Sequence, residues 1–168
     1  SVILATNLGI IFIYKNYSPK GNRMYFTEKN AIKIDIIRKK IEEWKNNNLL
    51  SEDEYFYLLA VLLESVPYIS NIAGVYGAFL KFWDNRAKND LLLENLEILS
   101  RKTTNITYNA DANILAKEVK TDLAYLDPPY NQRQYLPNYH ILETIAKYDY
   151  PEVKGVTGLR DYSEKKVI

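Results

Sequence analysis

Apolar residues recur at helical spacing in the first half of the chain and in short strand-like runs in the second. Ile34, Ile37, Ile41 and Trp44 return every three or four positions and so share one helical face, with Lys33, Arg38, Lys39 and Glu42 off it. Thr27 is the expected N-cap of this helix and Asn46-Asn47-Asn48 its exit. Ser51-Glu52-Asp53-Glu54 has the form of a capping box, in which a Ser side chain serves the N–H three residues on and the Glu reaches back. A second helix starting there lines Tyr55, Leu58, Leu59, Leu62 and Val66 along its apolar face until Pro67 ends or kinks it. A third segment, from Tyr68 to about Asn89, carries Gly74 and Gly77 with Phe79, Phe82 and Trp83, and the cations Lys81, Arg86 and Lys88. Residues 27–90 read as a helical subdomain.

The flanking segments have a different period. Ile10-Ile11-Phe12-Ile13-Tyr14 is rich in β-branched and aromatic residues and predicts a strand, followed by turn chemistry from Asn16 to Asn22 around Ser18-Pro19-Lys20-Gly21. Beyond Leu91-Leu92-Leu93, Ile106-Thr107-Tyr108 predicts a short strand, 109–112 a turn, 113–120 a short helix, and Leu123-Ala124-Tyr125-Leu126 a buried strand. Such a βαβ unit makes its strands parallel, so their carboxyl ends meet on the sheet edge where open α/β folds bind ligands. Asp111 and Asp127 are expected on that rim.

At 168 residues and 47% hydrophobic content the chain has material for one packed domain with an insertion, and a disordered or low-complexity reading is excluded. Its 22 basic and 21 acidic residues leave a net charge of +1, so any contact with a polyanion must come from local patches. With no cysteine and a single histidine, His140, neither a disulfide framework nor a thiolate or histidine-built metal site is available. The mostly apolar start, Ser1 to Tyr14, falls short of the ~20 residues that span a bilayer, and a cytoplasmic location away from membranes is expected.

Asp127-Pro128-Pro129-Tyr130 follows directly on the second apolar run. The two prolines fix their own φ angles and bias Asp127 toward an extended conformation, which makes a stiff turn. Neither proline has an N–H, so the carbonyls and the carboxylate form an acceptor-lined corner beside an aromatic ring. Such a corner suits an amino group on a flat ring. Two acceptors, one on each N–H, draw an adenine amine toward tetrahedral geometry and stabilise the positive charge that develops as it attacks a methyl group, while Tyr130 stacks on the base. A base in a duplex reaches the corner only when flipped out of the stack.

Leu126-Asp127-Pro128-Pro129-Tyr130 resembles the catalytic motif of the N6-adenine DNA methyltransferases of restriction-modification systems. The likeness continues through Asn131-Gln132-Arg133-Gln134-Tyr135 and Tyr139-His140-Ile141-Leu142-Glu143-Thr144, and upstream through Asn22-Arg23-Met24-Tyr25-Phe26-Thr27 and Gly74-Val75-Tyr76-Gly77-Ala78-Phe79-Leu80-Lys81. It covers residues 16–165. The resemblance implies an α/β fold, in which 1–26 and 91–168 form part of a Rossmann-like S-adenosylmethionine-dependent methyltransferase sheet and 27–90 a helical, DNA-engaging insertion. It implies S-adenosylmethionine as donor, double-stranded DNA as partner and a cognate restriction endonuclease as a candidate partner. Asp127, Pro128, Pro129 and Tyr130 would be the catalytic group, and Asp111 would contact the adenine of the donor. Such enzymes place a glycine-rich loop after their first strand, and none of the six glycines here forms that cluster. The chain is therefore expected to be a fragment lacking the cofactor loop.

Simpler roles stand beside these. The tetrad could be a rigid turn, and Asp111 a helix N-cap worth ~1 kcal/mol. His140 reads as a packing or surface residue, not a catalytic base. Lys81, Arg86 and Lys88 are either phosphate contacts or a solvated face, and Arg133 is the better candidate for holding a flipped strand. Gly74 and Gly77 fit either close packing or backbone approach to DNA. The functional rivals are a DNA-binding module that has lost methylation, a methyltransferase acting on RNA or a protein amide, and an inert remnant.

Overall fold

The structure, a computed structural model, describes residues 11–99, 103–127 and 135–161. The chain divides into two compact units, Ser1–Leu96 with Gln134–Ile168, and Glu97–Arg133.

The larger unit is helical. It contains α1 (Phe12–Tyr17), α2 (Glu28–Asn46), α3 (Glu52–Ser65) and α5 (Tyr135–Lys147), with one antiparallel hairpin of β1 (Val153–Lys154) and β2 (Leu159–Arg160). The two long helices start where the sequence places them. Thr27 Oγ1 accepts the Asn30 N–H at 3.3 Å, and Ser51 and Glu54 exchange both capping-box bonds. After α3, Pro67 sits in a 3-10 turn, Val66–Ile69, that closes the helix. Ile34 and Ile41 of α2, and Tyr55, Leu59, Leu62 and Val66 around α3, are buried in one core with Tyr17, Tyr25, Phe26, Ile69, Ile141 and Ile145.

Three expectations fail in this unit. The run is helical from Phe12, not extended, with Ile11 at the N-cap and Ile10 outside the described residues. The reason is tertiary: α1 has no side-chain cap of its own, and the Asp35 carboxylate of α2 accepts the N–H groups of Ile13 and Tyr14, each at 2.9 Å. Arg38, expected off the apolar face, is 2% exposed. Its Nε donates to Ile145 O at 2.8 Å and an amino group to Ala146 O at 3.3 Å, capping the carboxyl end of α5. Glu42 and the Tyr55 hydroxyl complete its shell, and the Tyr148 ring lies 4.4 Å from it. The stretch after Ile69, inside the region read as a helical subdomain, is a loop with a 3-10 turn at Arg86–Lys88.

The smaller unit contains α4 (Ala112–Glu118). Among the described residues neither 106–108 nor 123–126 is a strand. Leu123, Tyr125 and Leu126 are 87%, 89% and 79% exposed, where a buried strand was expected. Parallel strands are held by neighbours on both sides, and no described segment pairs with either run, so the period of the sequence has no ladder to express itself in. The described chain is thus mostly helical with one two-stranded sheet.

Candidate active site

Asp111 and Asp127 are both exposed. The Asp111 carboxylate accepts the Asn113 N–H at 2.7 Å and caps α4, so the simpler role is filled whatever else the residue does. The shared rim argued for these two acids rested on strands that the described residues do not form. Pro128, Pro129, Tyr130 and Arg133 lie outside the described residues.

What the structure shows in detail is the support for the helix that follows the tetrad in the chain. One face of α5 carries His140, Ile141, Thr144 and Ile145, all buried. His140 is 1% exposed, and its ring packs against Tyr17 at 5.8 Å and Tyr25 at 6.0 Å between centroids. Its Nε2 lies 3.0 Å from the Tyr76 carbonyl, which can only accept, so Nε2 carries the proton. A second proton would have to sit on Nδ1, which is buried with no hydrogen-bond partner. Burial therefore pushes the imidazole down to about 4. It packs, one of the two roles read for it in the sequence.

The same Tyr76 carbonyl receives the Tyr25 hydroxyl at 2.9 Å, and that hydroxyl also lies 3.0 Å from Thr157 O, so one proton is shared between two carbonyls. Tyr76 N–H donates to Asn138 O of α5 at 2.7 Å, its hydroxyl pairs with Ser70 Oγ, and Tyr17 hydroxyl donates to Gly158 O. Burial holds Tyr17 and Tyr76 up at about 12 and Tyr25 higher still, so the hub stays neutral. These residues join α1, the 22–27 segment, the 70–84 loop, α5 and the hairpin. Apart from the packing role read for His140, none was a sequence candidate in this role, although Tyr25, Tyr76 and His140 all fall in the segments quoted for the resemblance.

Arg23 pins the hairpin. Its guanidinium donates to the carbonyls of Asn16, Gly155 and Val156 at 2.8 to 3.0 Å. Asn71, fully buried, pins the loop: its amide nitrogen donates to Leu80 O and Phe82 O, both at 3.1 Å, and its oxygen accepts the Asp84 N–H at 3.0 Å. Lys81, Arg86 and Lys88 are exposed on and beside this loop. Arg86 donates to Ser70 O and Ile72 O, and Lys88 to Asn85, so two of the three cations brace local backbone or side chains. Gly77 approaches Asn138, where an added Cβ would lie 3.4 Å from its side-chain oxygen, and Gly74 at φ +115° has open space around it.

A family model described as D12 class N6 adenine-specific DNA methyltransferase matches residues 9–168. The chain belongs to that family. Among curated relatives of these D12 methyltransferases, it is 56% identical over 157 residues to the type II methyltransferase M.FokI of Planomicrobium okeanokoites, covering 92% of this chain and 24% of that protein. It is 50% identical over 150 residues to the modification methylase StsI of Streptococcus sanguinis, covering 89% and 23%. With the type II methyltransferase M.NlaIII of Neisseria lactamica it shares 46% identity over 158 residues, 94% of this chain and 47% of the relative. The chain thus spans about a quarter of the first two and just under half of the third. No solved structure matches it. Methyltransferases of this class generally use S-adenosylmethionine. No helix among the described residues is long and apolar enough to cross a membrane.

Proposed function

We propose that the protein carrying this chain methylates the N6 amine of adenine in double-stranded DNA, as the modification half of a restriction-modification pair. The observation that carries this reading is the family match across residues 9–168, which takes in the one Asp-Pro-Pro-Tyr tetrad of the sequence. S-adenosylmethionine supplies an electrophilic methyl on sulfur, and its departure leaves a neutral thioether. Asp127 and the Pro128 carbonyl accept the two amine N–H bonds, hold the nitrogen lone pair toward that methyl, and stabilise the charge as the N–C bond forms. Pro129 stiffens the turn and Tyr130 stacks on the flipped base. The methylated amine then sheds one proton to solvent, so no strong base is required.

Asp111 is the described group whose chemistry fits the donor: an exposed carboxylate can accept the amine of the donor's adenine while still capping α4. The remaining donor contacts would come from elsewhere in a longer protein. So would the strands that pair with 106–108 and 123–126 to make a Rossmann-like sheet of which 1–26 and 91–168 are part. Residues 27–90 would engage DNA, with Lys81, Arg86 and Lys88 near phosphates and Arg133 on the flipped strand.

The test is to express the full-length protein in a bacterium without endogenous adenine methylation and map modified bases along its genome. N6-methyladenine at one short motif is the expected result. An unmodified genome, or methyl groups found only in RNA or protein, would overturn the reading.

A further inference from the structure

The hairpin of β1 and β2 turns at Gly155-Val156-Thr157-Gly158, between the paired residues Lys154 and Leu159. Four successive carbonyls of this turn face donors on the larger unit. The Arg23 guanidinium donates to Gly155 O at 2.8 Å and to Val156 O at 3.0 Å, the Tyr25 hydroxyl lies 3.0 Å from Thr157 O, and the Tyr17 hydroxyl donates to Gly158 O at 3.0 Å. A trans peptide holds each carbonyl opposite the N–H of the next residue, and no peptide among the described residues is cis. The N–H groups of Val156, Thr157 and Gly158 therefore turn away from Arg23 and the two tyrosines. Gly158 N–H is taken up inside the turn by Gly155 O at 3.3 Å. Those of Val156 and Thr157 have no partner among the described residues, and neither has the Thr157 hydroxyl.

An exposed N–H is ordinarily satisfied by water and by itself points to no ligand. These two differ in placement, charge and access. They are successive donors on a turn whose other side is held at every carbonyl, the arrangement that makes an anion-binding concavity. Behind them stands Arg23, which has no carboxylate partner among the described residues, so its charge adds to the outward positive ends of the peptide dipoles. Lys154, 63% exposed, shares its charge with Glu152 at 3.7 Å, which leaves Arg23 as the uncompensated cation of the turn. Val156 is 80% exposed, and a Cβ added at Gly155 meets nothing within 4 Å, so the tip is open to a ligand. Two adjacent donors with a cation behind them match a group that offers several anionic oxygens on one centre, as a phosphodiester does.

We propose that the hairpin tip is a phosphate site, in which the Val156 and Thr157 N–H groups grip one backbone phosphate of the DNA duplex. The inference rests on the methyltransferase reading above, which supplies the duplex. A phosphate carries no base identity, so the contact fixes how the duplex is seated and not which sequence is chosen. Because Arg23, Tyr17 and Tyr25 already hold the turn in the free protein, little of it has to be ordered on binding.

The experiment uses the full-length protein carrying isotope-labelled valine, with the Val156 amide resonance identified by its loss in Val156→Ala. A duplex bearing the mapped motif should move that resonance downfield until binding saturates. Val156→Pro, which deletes one of the two N–H groups, should weaken duplex binding at least about fivefold, by the same factor with and without the motif. Val156→Ala keeps the N–H and should bind within about twofold of wild type. Proline can also disturb the turn, so where Val156→Pro melts several degrees lower the amide shift alone decides. A resonance that moves with inorganic phosphate but not with duplex would make the site one for a free anion and overturn the assignment to DNA. So would a loss in Val156→Pro confined to the motif duplex, which would mean base contact. A duplex bound and methylated without moving the Val156 resonance overturns this inference and leaves the methyltransferase reading standing. A wild-type protein that neither binds nor methylates DNA brings down that reading, and with it the ligand assigned here.

Discussion

Two buried ionisable residues pull stability in opposite directions with pH. His140 falls to about 4 from an ordinary value near 6.5, because burial disfavours its charge and Nδ1 has no acceptor. A depressed group stabilises the fold above its unfolded value and loses that contribution as the pH falls through its folded one. Asp35 is pushed up to about 6 by burial, against the pull of the α1 N–H groups it accepts. A raised carboxyl contributes fully below about 4 and loses its contribution as the pH rises through about 6. Each shift corresponds to about 3 kcal/mol. Between pH 6.5 and 4 the two changes offset, and wild-type stability should vary little from this source. Urea unfolding across that window should show His140→Gln gaining stability on acidification by about 3 kcal/mol and Asp35→Asn losing about as much. Parallel behaviour of the two variants would contradict this assignment.

Elements in this chain are held mainly by side chains from other elements. The hairpin shows it best. Gly155 and Gly158 both have φ of +69°, but an added Cβ meets nothing within 4 Å at Gly155, whereas at Gly158 it would lie 2.8 Å from Arg23 Nε. Gly155→Ala should therefore cost about the 1 kcal/mol of left-handed strain alone. Gly158→Ala should cost about 2 kcal/mol or more, because it also displaces the guanidinium that pins the turn. Equal melting temperatures for the two variants would remove Arg23 from this role. The same dependence explains what could be read in advance. The caps of α2 and α3 are local, written in Thr27 and in Ser51 with Glu54, and they were legible. The helicity of Phe12–Tyr17 depends on Asp35, 21 or 22 residues away from the groups it caps, and the burial of Arg38 depends on carbonyls of α5. No window of the sequence contains both partners. The strand periods at 106–108 and 123–126 were legible as patterns, but a pattern becomes a strand only against a neighbour.

At the scale of the molecule, the larger unit is a helical body whose neutral aromatic hub links two helices, one loop and one hairpin. The catalytic proposal belongs to residues that the hub adjoins in the chain, not to the hub itself. That division also limits how much of the site the sequence could reveal. The tetrad announces its chemistry because two prolines, a carboxylate and a ring are contiguous. Asn71, Arg23 and Tyr76 act through backbone atoms of distant residues, and their side-chain types alone suggest no such role. The central claim is that Asp127 holds the adenine amine during methyl transfer. It is tested most directly by incubating the full-length protein, wild type and Asp127→Ala, with its mapped duplex and S-adenosylmethionine, and measuring nucleosides by mass spectrometry. Wild type should form N6-methyladenine, and Asp127→Ala should form it at a rate at least about a hundredfold lower with donor binding retained. Undiminished N6-methyladenine formation by Asp127→Ala would contradict it.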